Sequence, residues 1–158
     1  MGGSARISTK NSTADGADLF IDTWGWLAIA DAGDPAHKAA VAERRRRNRS
    51  GSLVTTDYIL DETFTRLFSR TSSSQARQFC DAIFQSESGG LLRVQRITKT
   101  QFEAAYRMRL RYDDKPGISF TDFTSFIVMQ ELKIRHVLTA DAHFSQVQLG
   151  FRRVPQPV

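Results

Sequence analysis

Four carboxylates, Asp22, Glu62, Asp122 and Asp141, stand where short apolar runs end or where helical segments begin. Phe20-Ile21 runs straight into Asp22, and His136-Val137-Leu138 passes through Thr139-Ala140 into Asp141. Glu62 and Asp122 fall early in segments patterned as helices. In an open α/β sheet, functional groups collect outside the carboxyl ends of the strands, so acids remote in sequence can meet there. Four acids in one cleft repel each other unless something positive sits among them. The usual counter-charge is a hard divalent cation with oxygen ligands.

Each acid also has an ordinary structural explanation. Asp22 can begin the next helix, where its charge suits the dipole. Asp122 lies three residues after Ser119 and can complete a capping box, although Glu or Gln is the usual residue there. Asp141 can start a turn through Ala142 and His143. Glu62 lies opposite the Leu60, Phe64, Leu67 stripe of its helix, which makes solvent its default surroundings, and Asp61 competes with it nearer the flank of that stripe.

The elements that must position these groups alternate in type. Leu19-Phe20-Ile21 is a short buried strand, followed by a short helix or turn over Thr23–Ala30. Asp34-Pro35 signals a helix start, with Asp as N-cap and Pro at the first helical position, running into Arg44–Arg47. Leu53-Val54-Thr55 is a second strand. A helix over 57–70 carries Leu60, Phe64, Leu67 and Phe68 as a core stripe, and another over 75–86 turns Phe79, Ile83 and Phe84 inward. Leu92–Gln95 with Ile97 alternates like a strand near the sheet edge. Thr98 caps a helix to Arg111 through Phe102, Ala105, Tyr106 and Leu110, and Ser119 opens a helix to Leu132. Val137-Leu138-Thr139 is an internal strand, and Phe151–Val154 a short last one. Strands alternating with helices predict an α/β fold, a mainly parallel sheet covered on both sides.

The chain has 158 residues, enough for one domain with a real core. Its formal charge is +5 despite the acids, which concentrates positive charge elsewhere and suits a polyanionic partner such as nucleic acid. A single cysteine, Cys80, excludes an intrachain disulfide and makes a reducing cytoplasm the natural setting. Phe79, Ile83 and Phe84 around it suggest a core position rather than a reactive thiol. Trp24–Ala30, the longest apolar stretch, is far short of the ~20 residues a membrane span needs. Residues 1–17, rich in Gly, Ser, Thr and Ala, read as a mobile tail or an expression remnant outside the fold.

Four phrases then occur in order: Phe20-Ile21-Asp22-Thr23, Leu60-Asp61-Glu62-Thr63, Ser119-Phe120-Thr121-Asp122, and Leu138 through Asp141 to Phe144. With these the chain resembles the PIN-domain nucleases, and most closely the VapC-type toxins of bacterial toxin–antitoxin pairs, over Leu19 to about Val154. The resemblance implies a three-layer α/β/α PIN-like domain over residues 18–158. It implies catalytic and metal-binding roles for Asp22, Glu62, Asp122 and Asp141, with Mg²⁺ or Mn²⁺ as cofactor. Its hydroxyls match Thr23 and Thr121. The activity implied is endoribonuclease hydrolysis leaving 5′-phosphate and 3′-hydroxyl ends, on tRNA, rRNA or mRNA. Its partners are a small antitoxin, an extended segment of which enters a groove between early helices, and a second copy of the chain.

Arg44–Arg47 with Arg49 form the densest basic run, which is either a solvated helix C-terminus or a phosphate-gripping surface. Arg107, Arg109 and Arg111 form a second cluster, which Lys99 and Lys115 extend. Arg66 and Arg70 share a helix with Glu62 and can line the approach to the acids. Trp24 and Trp26 read as core or partner-contact residues, and Phe123 and Phe126 as core. His143, two residues past Asp141, reads as a structural or solvent-facing group. The rival functions are an RNA-processing nuclease without an antitoxin and a non-catalytic nucleic-acid- or protein-binding module. A DNA-directed flap nuclease needs extra helical elements for which the chain lacks room.

Overall fold

A computed structural model of the chain describes residues 17–156. The tail reading for residues 1–17 falls, apart from Ala17, outside the described residues. The elements run β1 (Leu19–Ile21), α1 (Thr23–Ala30), α2 (His37–Asn48), β2 (Leu53–Thr56), α3 (Asp57–Arg70) and α4 (Ser73–Ser88). They continue with β3 (Leu92–Gln95), α5 (Lys99–Arg111), α6 (Phe120–Glu131), β4 (His136–Leu138), α7 (His143–Gln146) and β5 (Arg152–Val154).

The strands form one sheet in the order β3-β2-β1-β4-β5, and every pairing is parallel. Phe20 is in register with both Val54 and Val137, and all three side chains are buried. Near-continuous apolar strands are what a sheet covered on both faces demands. The order also fixes the position of the site. The chain leaves β1 to one side for β2 and β3, then returns to the other side for β4 and β5. The crevice between the ends of β1 and β4 is therefore the topological switch point, where such sheets bind ligands.

Local sequence explains most element ends. Thr56, Ser72, Thr98 and Ser119 each cap the following helix by accepting a backbone N–H, and Thr98 with Gln101 completes a capping box. Asp34-Pro35 departs from expectation: α2 starts only at His37, because Asp34 Oδ1 accepts the Ala36 N–H at 2.7 Å and folds the dipeptide into a turn.

Three aromatic stripes also sit differently from the sequence pattern. Phe68, Phe84, Phe102, Tyr106 and Leu110 are about half exposed. On α4 the inward face is Ala76, Cys80 and Ile83, so Phe84 stands one position round the helix. On α5 it is Gln101, Ala105 and Met108, which leaves Phe102, Tyr106 and Leu110 as an outer stripe. Phe123 and Phe126 are core, as is Cys80, whose burial raises the thiol pKa and keeps it inert. Among the described residues no helix is long and apolar enough to cross a membrane.

Trp26 locks α1 onto the sheet. Its indole N–H donates to Thr55 Oγ1 at 3.1 Å, and that hydroxyl donates onward to the Ile21 carbonyl at 2.9 Å, all buried. Gly25 lets the helix sit this low, since a Cβ there would lie 2.6 Å from the Leu138 carbonyl oxygen and 2.9 Å from its Cγ. Gly25→Ala is expected to lower stability by about 1–3 kcal/mol through this overpacking, read as a fall in the urea midpoint at unchanged slope. An unaltered midpoint would mean the helix can shift freely off β1 and β4.

Candidate active site

Asp22 follows β1 in the N-cap position of α1 with extended backbone, yet makes no side-chain capping bond. Its carboxylate instead accepts the Thr139 hydroxyl at 2.8 Å, a buried contact between the ends of β1 and β4. The same Thr139 oxygen accepts the Asp141 N–H at 3.0 Å. One threonine thus fixes two acids separated by more than a hundred residues of chain. Asp141 Oδ1 in turn accepts the His143 N–H at 2.8 Å, so the expected turn forms and aims the acid.

Asp122 occupies the third position of α6 in a complete capping box: its N–H reaches Ser119 Oγ at 3.1 Å, and its Oδ2 takes the Ser119 N–H at 3.2 Å. The capping role and a place in the cleft coexist, because a carboxylate has lone pairs for both. Glu62, on α3, stands over α1. Its Oε2 accepts the Thr23 hydroxyl at 3.0 Å and its Oε1 the Arg66 guanidinium at 2.6 Å. Solvent was its default setting from the helical wheel, and the competing Asp61 is the one that remains exposed and away from the cleft.

All four acids line a single cleft of about 520 Å³. Thr23, Trp24, Arg66 and Arg70 share its wall, together with Ser119 and His143. Thr121 does not line it; its carbonyl accepts the Thr124 and Ser125 hydroxyls, and the hydroxyl that reaches the wall is that of Ser119. Neither of the other basic runs lines this cleft: Arg45–Arg47 end α2, where cations suit the helix dipole, and Arg107, Arg109 and Arg111 lie on α5. Trp26 is core, whereas half-buried Trp24 faces the cleft.

Two side chains that the sequence reading set aside belong to the site. His143 Nδ1 lies 3.1 Å from Asp141 Oδ1 and 3.4 Å from Asp122 Oδ2. Thr139, the last residue of the expected strand, lies just past the end of β4. Its position two residues before an acid, just past an apolar run, is a local cue, but only pairing β1 with β4 gives it Asp22 as partner.

The electrostatics are those of a cluster short of positive charge. Burial, opposed by the Thr139 hydrogen bond and reinforced by the charges of Asp122 and Asp141, pushes Asp22 up to about 7. Asp122 is likewise raised, by burial first and then by Asp141. Such a donor set, oxygen-rich and repelling itself, fits a hard divalent ion, and Asp122, Asp141 and His143 place one ligand atom each within 4.8 Å of one another.

Residues 19–149 match the family model of the PIN domain. The 23S rRNA-specific endonuclease VapC20 of Mycobacterium tuberculosis, in strains CDC 1551 / Oshkosh and H37Rv, is 32% identical over 127 residues, 80% of this chain and 92% of the relative. The crystal structure of M. tuberculosis VapC20, described as a sarcin–ricin-loop-cleaving toxin, superposes with a TM-score of 0.70 over 85% of this chain and 96% of that one. VapBC2 from Rickettsia felis, solved with a DNA fragment from its promoter, shares the fold at a TM-score of 0.67 and 12% identity, over 86% of this chain and 96% of that one. The chain belongs to the PIN-domain family. Within it, it is a nuclease of the VapC type.

The raised Asp22 carboxyl makes stability depend on pH when no cation is bound. Between about pH 4 and pH 7 the folded chain keeps a proton that the unfolded chain releases, so stability falls as pH rises through that window and levels off above it. Asp22→Asn removes this penalty. In EDTA at about pH 8 the variant is expected to be more stable than wild type by on the order of a few kcal/mol, with the gap closing near pH 4. Parallel urea-denaturation profiles across that range would contradict the assigned burial.

Proposed function

We propose that this VapC-type nuclease is a Mg²⁺- or Mn²⁺-dependent endoribonuclease that hydrolyses structured RNA to 5′-phosphate and 3′-hydroxyl ends, as the toxin of a toxin–antitoxin pair. The observation that carries the reading is the convergence of Asp22, Glu62, Asp122 and Asp141 on one cleft at the switch point of a parallel sheet. The similarity to an enzyme specific for 23S rRNA makes ribosomal RNA the substrate class proposed first.

Asp22, Glu62 and Asp122 would hold the ion directly or through water, and Asp141 would hold a second ion or orient water. When bound, a divalent ion supplies charge for the phosphate and lowers the pKa of water, so attack needs no 2′-hydroxyl. Thr23 fixes the Glu62 carboxylate through its hydrogen bond. Arg66 and Arg70, the cleft's cations, take the phosphates that flank the cut; Arg66 must give up part of its hold on Glu62 to do so.

The antitoxin reading is supported by a second groove of about 750 Å³, lined by Leu27 and Ala30 of α1, Leu67 of α3, and Phe79 and Ala82 of α4. It shares Leu27, Asp34, Arg66 and Arg70 with the acid cleft, so an extended segment laid in it leads to the acids. An arginine on that segment would take the cation's place among them. The chain dimerises; the exposed Phe102, Tyr106 and Leu110 stripe on α5 supports this, with Glu103 toward the helix start and Arg107 and Arg111 toward its end, which an antiparallel pairing brings together. The whole of residues 18–158 acts as one domain in the cytoplasm.

Asp22→Ala and Asp122→Ala are each expected to cut the rate of RNA cleavage at least about a hundredfold while the fold is retained, and EDTA to do the same to wild type. Mapping cleaved ends in total RNA after brief expression, beside Asp22→Ala, checks both substrate and end chemistry. Undiminished, EDTA-resistant cleavage in both variants defeats the assignment. Tyr106→Glu is expected to shift the sedimenting species to monomer.

A further inference from the structure

The acids account for an oxygen-bound ion, but they leave His143 unexplained. Its backbone is fixed at the start of α7 by the Asp141 Oδ1 bond to its N–H. The ring then points Nδ1 at two acids from different elements, 3.1 Å from Asp141 Oδ1 and 3.4 Å from Asp122 Oδ2. That nitrogen is shielded from solvent and makes a hydrogen bond with neither. A buried donor or acceptor without a partner is costly, and costs least where an ion completes it.

The two separations made by His143 fit such an ion. Ligands at about 2.1 Å in an octahedron place neighbouring donor atoms about 3.0 Å apart, along the edges of the figure. The His143 nitrogen stands close to that separation from both carboxylate oxygens. An imidazole among carboxylates also changes which ion is favoured. Mg²⁺ holds to oxygen ligands and gives up its waters reluctantly, whereas the affinity of a mixed nitrogen and oxygen site rises from Mn²⁺ toward the heavier divalent ions.

We propose that His143 is a nitrogen ligand, beside Asp122 and Asp141, of an ion held in the acid cleft, and that it sets a preference for Mn²⁺ over Mg²⁺. This rests on the metal reading of the acid cleft and adds to it a ligand and a selectivity that the carboxylates alone do not supply. His143 reaches this position because α7 follows β4 after only a short loop, which puts the ring at the mouth of the switch-point crevice.

Electron spin echo spectroscopy of the full chain loaded with Mn²⁺ reads the ligand without reference to activity. The chain has three histidines, and neither His37 nor His136 lines the cleft, so an imidazole ¹⁴N modulation reports His143. The modulation is expected in wild type and absent in His143→Gln. The variant is expected to bind Mn²⁺ about tenfold more weakly, with Mg²⁺ affinity changed less than about threefold. Circular dichroism establishes that the variant is folded, and His143→Asn serves as a second substitution should Gln disturb α7. Mn²⁺ bound to wild type with no ¹⁴N modulation overturns the proposal and leaves the carboxylate site standing. Failure of folded wild type to bind Mn²⁺ at all overturns the metal reading beneath it.

Discussion

Like charges forced together at the end of a parallel sheet are the constraint around which this molecule is arranged. Asp22 and Asp122 are almost removed from solvent, and Asp141 stands against both. Nothing in the hydrophobic core requires this. The core is complete in the apolar strands and in the Phe123, Phe126 and Phe144 cluster below. The structure holds the acids in place with neutral donors: the Thr139 hydroxyl for Asp22, the Ser119 N–H for Asp122, and the His143 N–H for Asp141. Such donors orient carboxylates without neutralising them, which leaves their mutual repulsion in place.

Much of this was legible in the sequence because the relevant signals are local. Apolar runs ending in Asp22 and just short of Asp141 marked strand ends, and Ser119 three residues before Asp122 marked a helix start. Those signals placed the acids on the correct elements. The family phrases placed them in one cleft. What local pattern could not give was rotation about helix axes. Phe102, Tyr106 and Leu110 recur at the right interval for a buried face, but small Ala105 and flexible Met108 are what α6 admits at close range, and the aromatics turn outward. The same limit explains Glu62, whose direction depends on Thr23 and Arg66, which donate to it from α1 and one turn farther along α3.

His143 and Thr139 show the other kind of limit. A loop histidine and a strand-end threonine are common in any protein, and neither is informative alone. Their meaning comes from contacts with other elements: Thr139 to Asp22 through the pairing of β1 with β4, and His143 to Asp122 through the packing of α7 against α6. Capping and cleft lining also proved compatible. Asp122 completes a helix start and still presents an edge to the crevice, so an ordinary structural explanation for a residue does not remove it from the chemistry.

The wall that Arg66 and Arg70 share between the apolar groove and the acid crevice carries an evolutionary consequence. A substitution there that loosens the grip of anything seated in the groove also alters the charge facing the acids. The fit of the groove and the charge of the crevice are therefore coupled at these two positions. Change to the groove without that coupling is open at side chains such as Leu67, Phe79 and Ala82, which line the groove and not the crevice.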